Sequence, residues 1–290
     1  MKSRTFAIIG CGKVGVTLAW HLAHIGYLPI GFASRRAASA RAAAESAGGG
    51  QVCRDPWEAA ASADLVFITT PDATIASIAA CLGEHKGLKR GAVVLHCSGA
   101  LSSEIIATVR RCGAYAGSLH PLQSFAAPTF PENPFQGIVM AGEGDDEALD
   151  LARDIAAGFQ AVFLKIETAH KTLYHAAAVA ASNYLVTLLA ASTRLLEESG
   201  IAPENTLQVL LPLVRGTLKN IEKRGVADAL TGPIARGDVA TVEAHCRKIE
   251  QSLPDLLPFY QVLGHYTLPL VQGNVSVDKL RELAALLGRS

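Results

Sequence analysis

Charged residues are scarce in this sequence, and the two signs cancel. Charged side chains make up 18% of the 290 residues, and 26 Lys and Arg oppose 26 Asp and Glu, whereas an average globular domain is about 25% charged. A chain without net charge lacks the general basic surface that binds nucleic acid or an anionic membrane. We therefore expect a small-molecule ligand, no nucleic-acid partner and no membrane partner.

Cysteine motifs are also lacking. The six cysteines are far apart, with no C-x-x-C pair and no dense framework of the secreted type. The apolar run near the N-terminus spans only about five residues, which is too short for a signal peptide. The sequence thus predicts a cytoplasmic protein with reduced thiols and no metal site.

A single long apolar stretch is present at residues 172–193, where only His175 can carry a charge. About 20 apolar residues can span a bilayer, but the polar residues Ser182, Asn183 and Thr187 argue against a helix that faces lipid. We expect a soluble helix covered on all sides. Because a domain of about 120 residues would struggle to surround it alone, we expect a homodimer formed through the C-terminal helices.

The N-terminal half alternates apolar runs with Ala-rich helical patterns. Near-continuous Val, Ile, Leu and Phe runs are typical of strands buried on both faces, and they lie at 5–9, 28–33, 65–69, 92–96, 114–119, 137–141 and 161–166. Helical patterns occur between them at 14–25, 36–47, 73–81 and 103–111. This βαβ alternation predicts an α/β domain with a mainly parallel sheet over residues 1–166.

Strand patterns stop after Glu167. Helical patterns follow at 168–198, 203–224, 238–252, 254–263 and 277–287, with Asp238 and Ser276 as expected N-caps. Residues 167–290 should therefore form an all-helical domain for dimerisation and substrate binding. The Pro-rich segment 126–134 predicts a loop of the first domain, not a boundary.

A glycine-rich motif directly follows the first predicted strand and opens a helix. It consists of Gly10, Cys11, Gly12, Lys13, Val14 and Gly15. In such a motif the first glycine permits a tight turn, the second lets a pyrophosphate approach, and the third allows close packing of helix and strand. We expect a dinucleotide to bind here, in a Rossmann-type domain.

The choice of dinucleotide depends on the end of the second strand. An NAD site usually places an acidic residue there, whereas this chain has Ser34, Arg35 and Arg36. Because Arg pairs well with a 2′-phosphate, the expected cofactor is NADP. Thr70 and Pro71, after another buried strand, should border the cofactor, although they could also form a plain turn.

The candidate catalytic residues lie at two strand ends and on the long helix. Ser98 could bond substrate or nicotinamide or simply cap a turn, and His120 could be an acid, a contact for a substrate carboxylate or a structural histidine. On the helix, Lys171 and His175 share one face, while Asn183 is about 18 Å from Lys171 along the axis. Lys171 could also be an ordinary exposed lysine, and His175 a core histidine.

The proton donor should titrate near neutral pH, which favours histidine. We expect His96 to point into the packing, which leaves His120 and His175, one on each predicted domain, on either side of an interdomain cleft. Arg236 could bind an acidic substrate or a carboxylate at the subunit interface.

The motifs AIIGCGKVG, FASRR, DLVFITTPD, HCSGA, SLHPLQSF, YHAAAVAASNYLV and TGPIARGD together resemble the uncharacterised Rossmann-like NADP oxidoreductases whose C-terminal part is a domain of unknown function. That family is similar in turn to the pyrroline-5-carboxylate reductase, prephenate dehydrogenase, ketopantoate reductase and 6-phosphogluconate dehydrogenase superfamily. The resemblance implies a helical, dimerising C-terminal domain like that of 6-phosphogluconate dehydrogenase.

The relatives suggest two arrangements of the catalytic helix. The 3-hydroxyacid dehydrogenases place an Asn one turn after a Lys, but here the residue one turn after Lys171 is His175. Prephenate dehydrogenase suggests the spacing from His175 to Ser182 and Asn183, and its His-Pro loop resembles His120-Pro121. His175 is common to both.

We expect an oxidoreductase that transfers hydride between NADPH and a small 2-oxo acid or imine bearing a carboxylate. The alternatives are a deazaflavin-linked NADP oxidoreductase and a non-catalytic NADP-binding sensor.

Overall fold

The computed structural model describes residues 4–288. The chain divides by internal contacts into two compact units, Met1–Ser182 and Asn183–Ser290. The first is α/β and the second is helical, which confirms the predicted fold class. The predicted domain boundary after residue 166 differs from this division because the first turns of the long helix contact the sheet.

The first unit is built on an eight-stranded sheet with the order β3-β2-β1-β4-β5-β6-β7-β8. Its strands are β1 Thr5–Ile9, β2 Leu28–Ala33, β3 Gln51–Cys53, β4 Leu65–Ile68, β5 Val93–His96, β6 Tyr115–Pro121, β7 Val139–Gly144 and β8 Val162–Lys165. Neighbouring strands are parallel except β6 and β7, which are antiparallel. The parallel strands β1, β4 and β5 lie centrally, so their carboxyl ends form one edge.

Helices cover both faces of this sheet. They are α1 Lys13–His24, α2 Ala37–Ser46, α3 Pro56–Ala60, α4 Asp72–Glu84 and α5 Asp146–Gly158, together with a 3₁₀ segment at Ser103–Cys112. Side chains of α1, α2 and α5 pack on one face with Phe6, Phe32 and Phe67. Residues of α3, α4 and the 3₁₀ segment pack on the other face with Ile9 and Val66. Burial on both faces explains why these strands lack polar alternation.

Four elements differ in kind from the sequence prediction, and others differ in their bounds, such as β7, which ends at Gly144 rather than at residue 141. The short strand β3 and the helices α3 and α5 were not predicted, and the 3₁₀ segment replaces a predicted α-helix. The backbone of this segment departs from helical geometry at Ile106. The Pro-rich segment 126–134 forms a loop between β6 and β7, as expected.

The second unit contains helices only, within the described residues. The long helix α6 Lys171–Glu198 begins in the first unit and continues into the second, followed by α7 Pro203–Arg224, α8 Val239–Ser252, α9 Leu257–Thr267 and α10 Val277–Leu287. A small core joins Val242, Cys246, Leu268, Leu283 and Leu287. Asp238 caps α8 by accepting the Thr241 N–H at 3.1 Å, as the sequence predicts.

Helix α6 is largely exposed in the single chain. Among residues 4–288, one helical stretch, Thr168–Glu198, has the length and mean hydropathy of a membrane-spanning segment. Only 6% of its most apolar 18-residue stretch is buried. Leu173 is 73% exposed and Val186 is 67% exposed. Residues 4–288 therefore do not supply the cover that the sequence predicts for this helix.

Candidate functional site

The glycine-rich turn joins β1 to α1 at the carboxyl edge of the sheet. Gly10 has a φ of +100°, and a Cβ there would lie 2.7 Å from the Thr70 backbone nitrogen. A Cβ on Gly15 would lie 2.6 Å from Thr69 Oγ1, whereas a Cβ on Gly12 would meet nothing within 4 Å. Packing thus requires Gly10 and Gly15. Gly12 instead borders open space, where a ligand could approach the protein backbone.

The start of α1 has the features of an anion site. Gly12 is its N-cap, and α1 has neither a side-chain cap nor an acidic residue in its first turn, so the first N–H groups are free to bind an anion. Lys13 is exposed, Val14 is half-buried and Cys11 is buried. Burial raises the pKa of the Cys11 thiol to about 12, so this side chain is neutral. These features fit the pyrophosphate of a dinucleotide.

A second positive site lies at the end of β2. Arg35 and Arg36 are exposed, Ser34 is half-buried, and Arg36 is the N-cap of α2, which has no acidic residue in its first turn. Neither arginine forms an ion pair with any residue between 4 and 288. Two unpaired cations beside a helix N-terminus suit a phosphate group.

The turn after β4 borders the same edge. Pro71 is the N-cap of α4, and the buried Thr70 Oγ1 has no hydrogen-bond partner within the described part of the chain. A buried hydroxyl without a partner is uncommon in native proteins. Thr70 can therefore serve a ligand at the position that the sequence predicts.

Ser98 is held by its own turn. Its Oγ donates to Asp72 Oδ2 at 2.9 Å and accepts from the N–H groups of Ala100 and Leu101 at 3.2 and 3.0 Å. His96 supports the same turn, because its ring bonds the Ser102 carbonyl and accepts the Ser98 N–H, both at 3.2 Å. Burial lowers the pKa of His96 to about 4. His96 thus points into the packing, and Ser98 is engaged in a capping role.

Two histidines converge beyond this turn. A Cβ on Gly99 would lie 2.8 Å from His120 Nε2 and closer still to His175 Nδ1. The two rings are nearly perpendicular, with centroids 6.0 Å apart. His175 Nδ1 is buried and has no hydrogen-bond partner among the described residues. The absence of a side chain at Gly99 lets two ring nitrogens from β6 and α6 meet at one place.

Tyr174 completes this cluster. Its hydroxyl lies 3.0 Å from His120 Nδ1, and burial raises its pKa. The pKa of His120 is lowered to about 4, first by burial and then by His175 and Lys171, while Asp72 acts in the opposite direction. His120 is therefore neutral at physiological pH, whereas the sequence predicts a group that titrates near 7.

Lys171 is buried rather than open to a substrate. Its side chain is 1% exposed, and its Nζ bonds Glu143 Oε1 at 2.9 Å and the hydroxyl of Ser118. Burial lowers the pKa of Lys171, although Glu143 opposes the shift. Burial alone would raise the pKa of Glu143, but Lys171 and the hydrogen bonds donated by Ser103 outweigh this effect and lower that pKa. The two side chains thus form a salt bridge that is closed to solvent.

Asn183 and Arg236 lie in the second unit. Asn183 is exposed on α6, two turns beyond His175, and Arg236 is exposed at the end of a 3₁₀ segment. The structure thus brings His120, His175, Lys171 and Ser98 together within the first unit. The roles of Asn183 and Arg236 stay predictions.

Three residues of the site were not predicted from sequence: Tyr174, Asp72 and Glu143. Tyr174 directly precedes His175, so helix phase alone could not select it. Glu143 offered one signal, an acidic residue two positions beyond a predicted apolar strand. Residues 4–288 contain no cluster of three or more His, Cys, Asp or Glu side chains placed to hold a metal.

A cleft of about 920 Å³ lies elsewhere, beside the starts of β1, β5 and β6. Ion pairs of Arg4 with Asp154 and of Lys89 with Asp64 line it. This is the amino edge of those strands, opposite the glycine-rich turn. Open α/β sheets bind ligands at the carboxyl edge, so the histidine cluster at that edge is the better candidate site despite the size of this cleft.

Comparison with solved structures finds the same architecture in several proteins. A protein from Thermotoga maritima is 29% identical, with a TM-score of 0.72, over 92% of this chain and 98% of that chain. A putative NADP oxidoreductase from Bacteroides fragilis is 22% identical, with a TM-score of 0.74, over 91% and 98%. A reductive aminase from Aspergillus terreus, in complex with NADPH, is 18% identical, with a TM-score of 0.66, over 96% and 98%. The last two identities establish a shared fold only.

Sequence families give the assignment. No match was found among curated protein sequences. Residues 2–121 match the Rossmann-like domain, and residues 138–267 match the family described as Domain of unknown function (DUF2520). The protein therefore combines a Rossmann-like domain with a C-terminal DUF2520 domain, the arrangement that its sequence motifs resemble.

Proposed function

We propose that this protein is an NADP-dependent oxidoreductase that transfers hydride between NADPH and the C=O or C=N group of a small 2-oxo acid or imine. The observation that carries the proposal is the convergence of His120 Nε2 and His175 Nδ1 over Gly99. This convergence lies at the carboxyl ends of β5 and β6, on the same sheet edge as the glycine-rich turn.

When bound, the cofactor would supply the hydride, and the residues of this chain would bind and orient the cofactor. The free N–H groups at the start of α1 and the open face of Gly12 suit the pyrophosphate. Arg35 and Arg36 suit the 2′-phosphate that distinguishes NADP from NAD. Thr70 Oγ1, which lacks a partner in the described chain, offers a hydrogen bond at the same edge.

Reduction of a carbonyl also requires a proton. In the tautomer where His120 Nδ1 accepts from Tyr174, His120 Nε2–H points to the convergence point and can donate to the substrate heteroatom. As Nε2 releases its proton, Nδ1 takes the proton of Tyr174, and the ring stays neutral throughout. Tyr174 then regains a proton from water. This relay suits a histidine whose pKa is far below 7.

His175 acts beside this relay. Its buried Nδ1 lacks a protein partner among the described residues, so it is free to bond the same heteroatom and fix its position. Ser98 and Asp72 hold the turn that presents Gly99.

We also propose a cytoplasmic location, in line with six free cysteines, and a homodimer formed through the helices of DUF2520.

The test is oxidation of NADPH followed by absorbance, with a panel of 2-oxo acids, ketones and imines. We expect turnover with at least one acceptor class. His120→Asn and Tyr174→Phe should each lower kcat about 10²–10⁴-fold with little change in NADPH affinity. His24→Asn, on the exposed side of α1, is the matched control.

Three outcomes would contradict the proposal. Tight NADPH binding without turnover of any acceptor would favour a sensor. Near-normal turnover in both variants would place the proton transfer elsewhere, and turnover restricted to a deazaflavin would favour the alternative electron acceptor.

A further inference from the structure

We propose that the buried ion pair of Lys171 and Glu143 positions the catalytic helix: it sets the register of α6 against β6, so that Tyr174 and His175 meet His120. Lys171 is then a positioning residue and not the proton donor. The inference rests on the proposed function for its kinetic readout, but not for its spectroscopic one.

The bonds of this pair leave little room for another role. Both side chains are 1% exposed. Glu143 accepts from Lys171 Nζ at 2.9 Å, from the N–H and hydroxyl of Ser103 at 2.8 and 2.7 Å, and from the Thr168 hydroxyl at 3.0 Å. Four donors occupy one carboxylate, and Lys171 also bonds Ser118. A substrate reaching Lys171 would have to displace these partners.

The pair joins the segments that carry the site. Ser103 opens the 3₁₀ segment just after the turn of Ser98 and Gly99, and Thr168 lies just before α6. Ser118 and Glu143 are direct register partners across the antiparallel pair of β6 and β7. Lys171 thus bonds both members of one cross-strand pair. The start of α6 is thereby fixed to the two strands and to the turn.

The spacing along strand and helix explains why this contact positions the histidines. Ser118 and His120 lie on the same face of β6, about 6.6 Å apart. Lys171 and His175 are separated by about 6 Å along α6. Because these spacings match, two sets of contacts follow one another along the facing strand and helix. Lys171 contacts Ser118 first, and Tyr174 and His175 then contact His120. A slip of α6 by one residue would break both.

Stability alone does not account for the pair. Replacing a buried ion pair by apolar residues is often neutral or stabilising, although removal of one partner is costly. The charge of Lys171 also acts on the site. The ionisable groups around His120 are Lys171, His175 and Tyr174 on α6, Asp72 on α4 and His96 on β5, and Lys171 is among those that lower its pKa.

The experiment compares a double variant with a matched control. Lys171→Met alone would leave Glu143 buried without its cation and could prevent folding. Lys171→Met combined with Glu143→Gln removes both charges and retains an acceptor for Ser103. The control, Arg110→Met with Asp145→Asn, removes an ion pair of 3.0 Å between the 3₁₀ segment and the start of α5. Tm, NADPH affinity, kcat and KM are measured, with the titration of His120 by NMR.

We expect the double variant to fold and bind NADPH like the wild type, with kcat about 10–100-fold lower, since small displacements of catalytic groups have effects of this size. The NMR pKa of His120 should rise, because the Lys171 charge is gone. The control should change neither kcat nor this pKa.

Three results would overturn the inference. Wild-type kcat with an unchanged His120 titration would make the pair purely structural. A lower kcat with unchanged His120 signals would make Lys171 catalytic. An unfolded double variant beside a folded control would assign the pair to stability. If the wild-type protein reduces no acceptor, the proposed function fails, and the NMR titration still decides the role of the pair.

Discussion

His96 couples the charge of a single side chain to the stability of the fold. Burial lowers its pKa to about 4 in the folded chain, whereas an unfolded chain has a histidine pKa of about 6.5. Between these two pH values, His96 is protonated in the unfolded state but neutral in the folded state. Stability from this residue is therefore complete above pH 6.5 and is lost as the pH falls towards 4.

We predict that the free energy of unfolding falls by about 2 kcal/mol between pH 7 and pH 5 because of His96. Urea unfolding at the two pH values measures the fall. His96→Asn should be less stable at pH 7 but should show a smaller fall, with the contribution of His120 remaining. An identical pH dependence in this variant and the wild type would contradict the assignment.

Individual site residues were predictable to different degrees. His120 and His175 follow from their places at a strand end and on one helix face. The role of Glu143 could not be predicted, because it depends on the antiparallel register of β6 and β7, which brings Glu143 opposite Ser118. The low pKa of His120 depends on burial by α6 and on Lys171, and sequence spacing does not report burial.

At the scale of an element, the glycine-rich turn contains one glycine that packing requires, Gly15, and one that borders open space, Gly12. A Cβ on Gly15 would enter the space of Thr69 and Ile8, whereas a Cβ on Gly12 would stand in open space. Gly12 has a φ of −85°, which alanine also adopts. Substitutions at these two positions should therefore have opposite consequences.

We predict that Gly12→Ala leaves Tm unchanged but weakens NADPH binding about tenfold or more, because the added methyl group occupies the approach of the pyrophosphate. Gly15→Ala should lower Tm, because overpacking commonly costs about 1–3 kcal/mol. Thermal unfolding and fluorescence titration with NADPH measure the two effects. A loss of Tm in Gly12→Ala with unchanged affinity would refute the placement of the cofactor.

The junction of β2 and α2 gives a second prediction. Arg35→Ala with Arg36→Ala should weaken NADPH about 10–100-fold, since hydrogen bonds to charged groups contribute about 1.5–3 kcal/mol, and should leave NADH nearly unchanged. Parallel titrations with both cofactors make the comparison. An equal loss for NADPH and NADH would show that the two arginines do not recognise the 2′-phosphate.

Elements with strong local patterns were predicted to the residue. The bounds of β1, β2, α7 and α10 agree with the sequence patterns, because apolar runs and periods, with Pro203 at the start of α7, define these elements locally. The strand β3 is three residues long at the sheet edge and is formed by pairing with β2, which no local pattern reports. The 3₁₀ segment likewise shows the helical period without the α geometry.

At the scale of the whole molecule, α6 carries apolar residues that the rest of the described chain leaves exposed. Tyr184 is 63% exposed. A groove of about 290 Å³ lies between α6 and α9, and Leu188, Leu195 and Leu263 are among its lining residues. Contiguous apolar surface of this kind usually marks an interface. This supports the proposed dimer.

We predict a dimer at micromolar concentration in light scattering. Val186→Glu places a charge on the exposed apolar part of α6 and should give a folded monomer with an unchanged far-UV spectrum. Arg281→Glu, on the exposed surface of α10, is the control and should remain a dimer. A monomeric wild type would count against the interface.

The division between the two units lies within α6, a continuous helix that contains neither Gly nor Pro. There is thus no linker at which the protein could be cut into independently exchangeable parts. Chimeras with relatives should retain their fold only when the crossover lies outside Lys171–Glu198. For the same reason, limited proteolysis should cleave the loops at either end of this helix before it cleaves between the units.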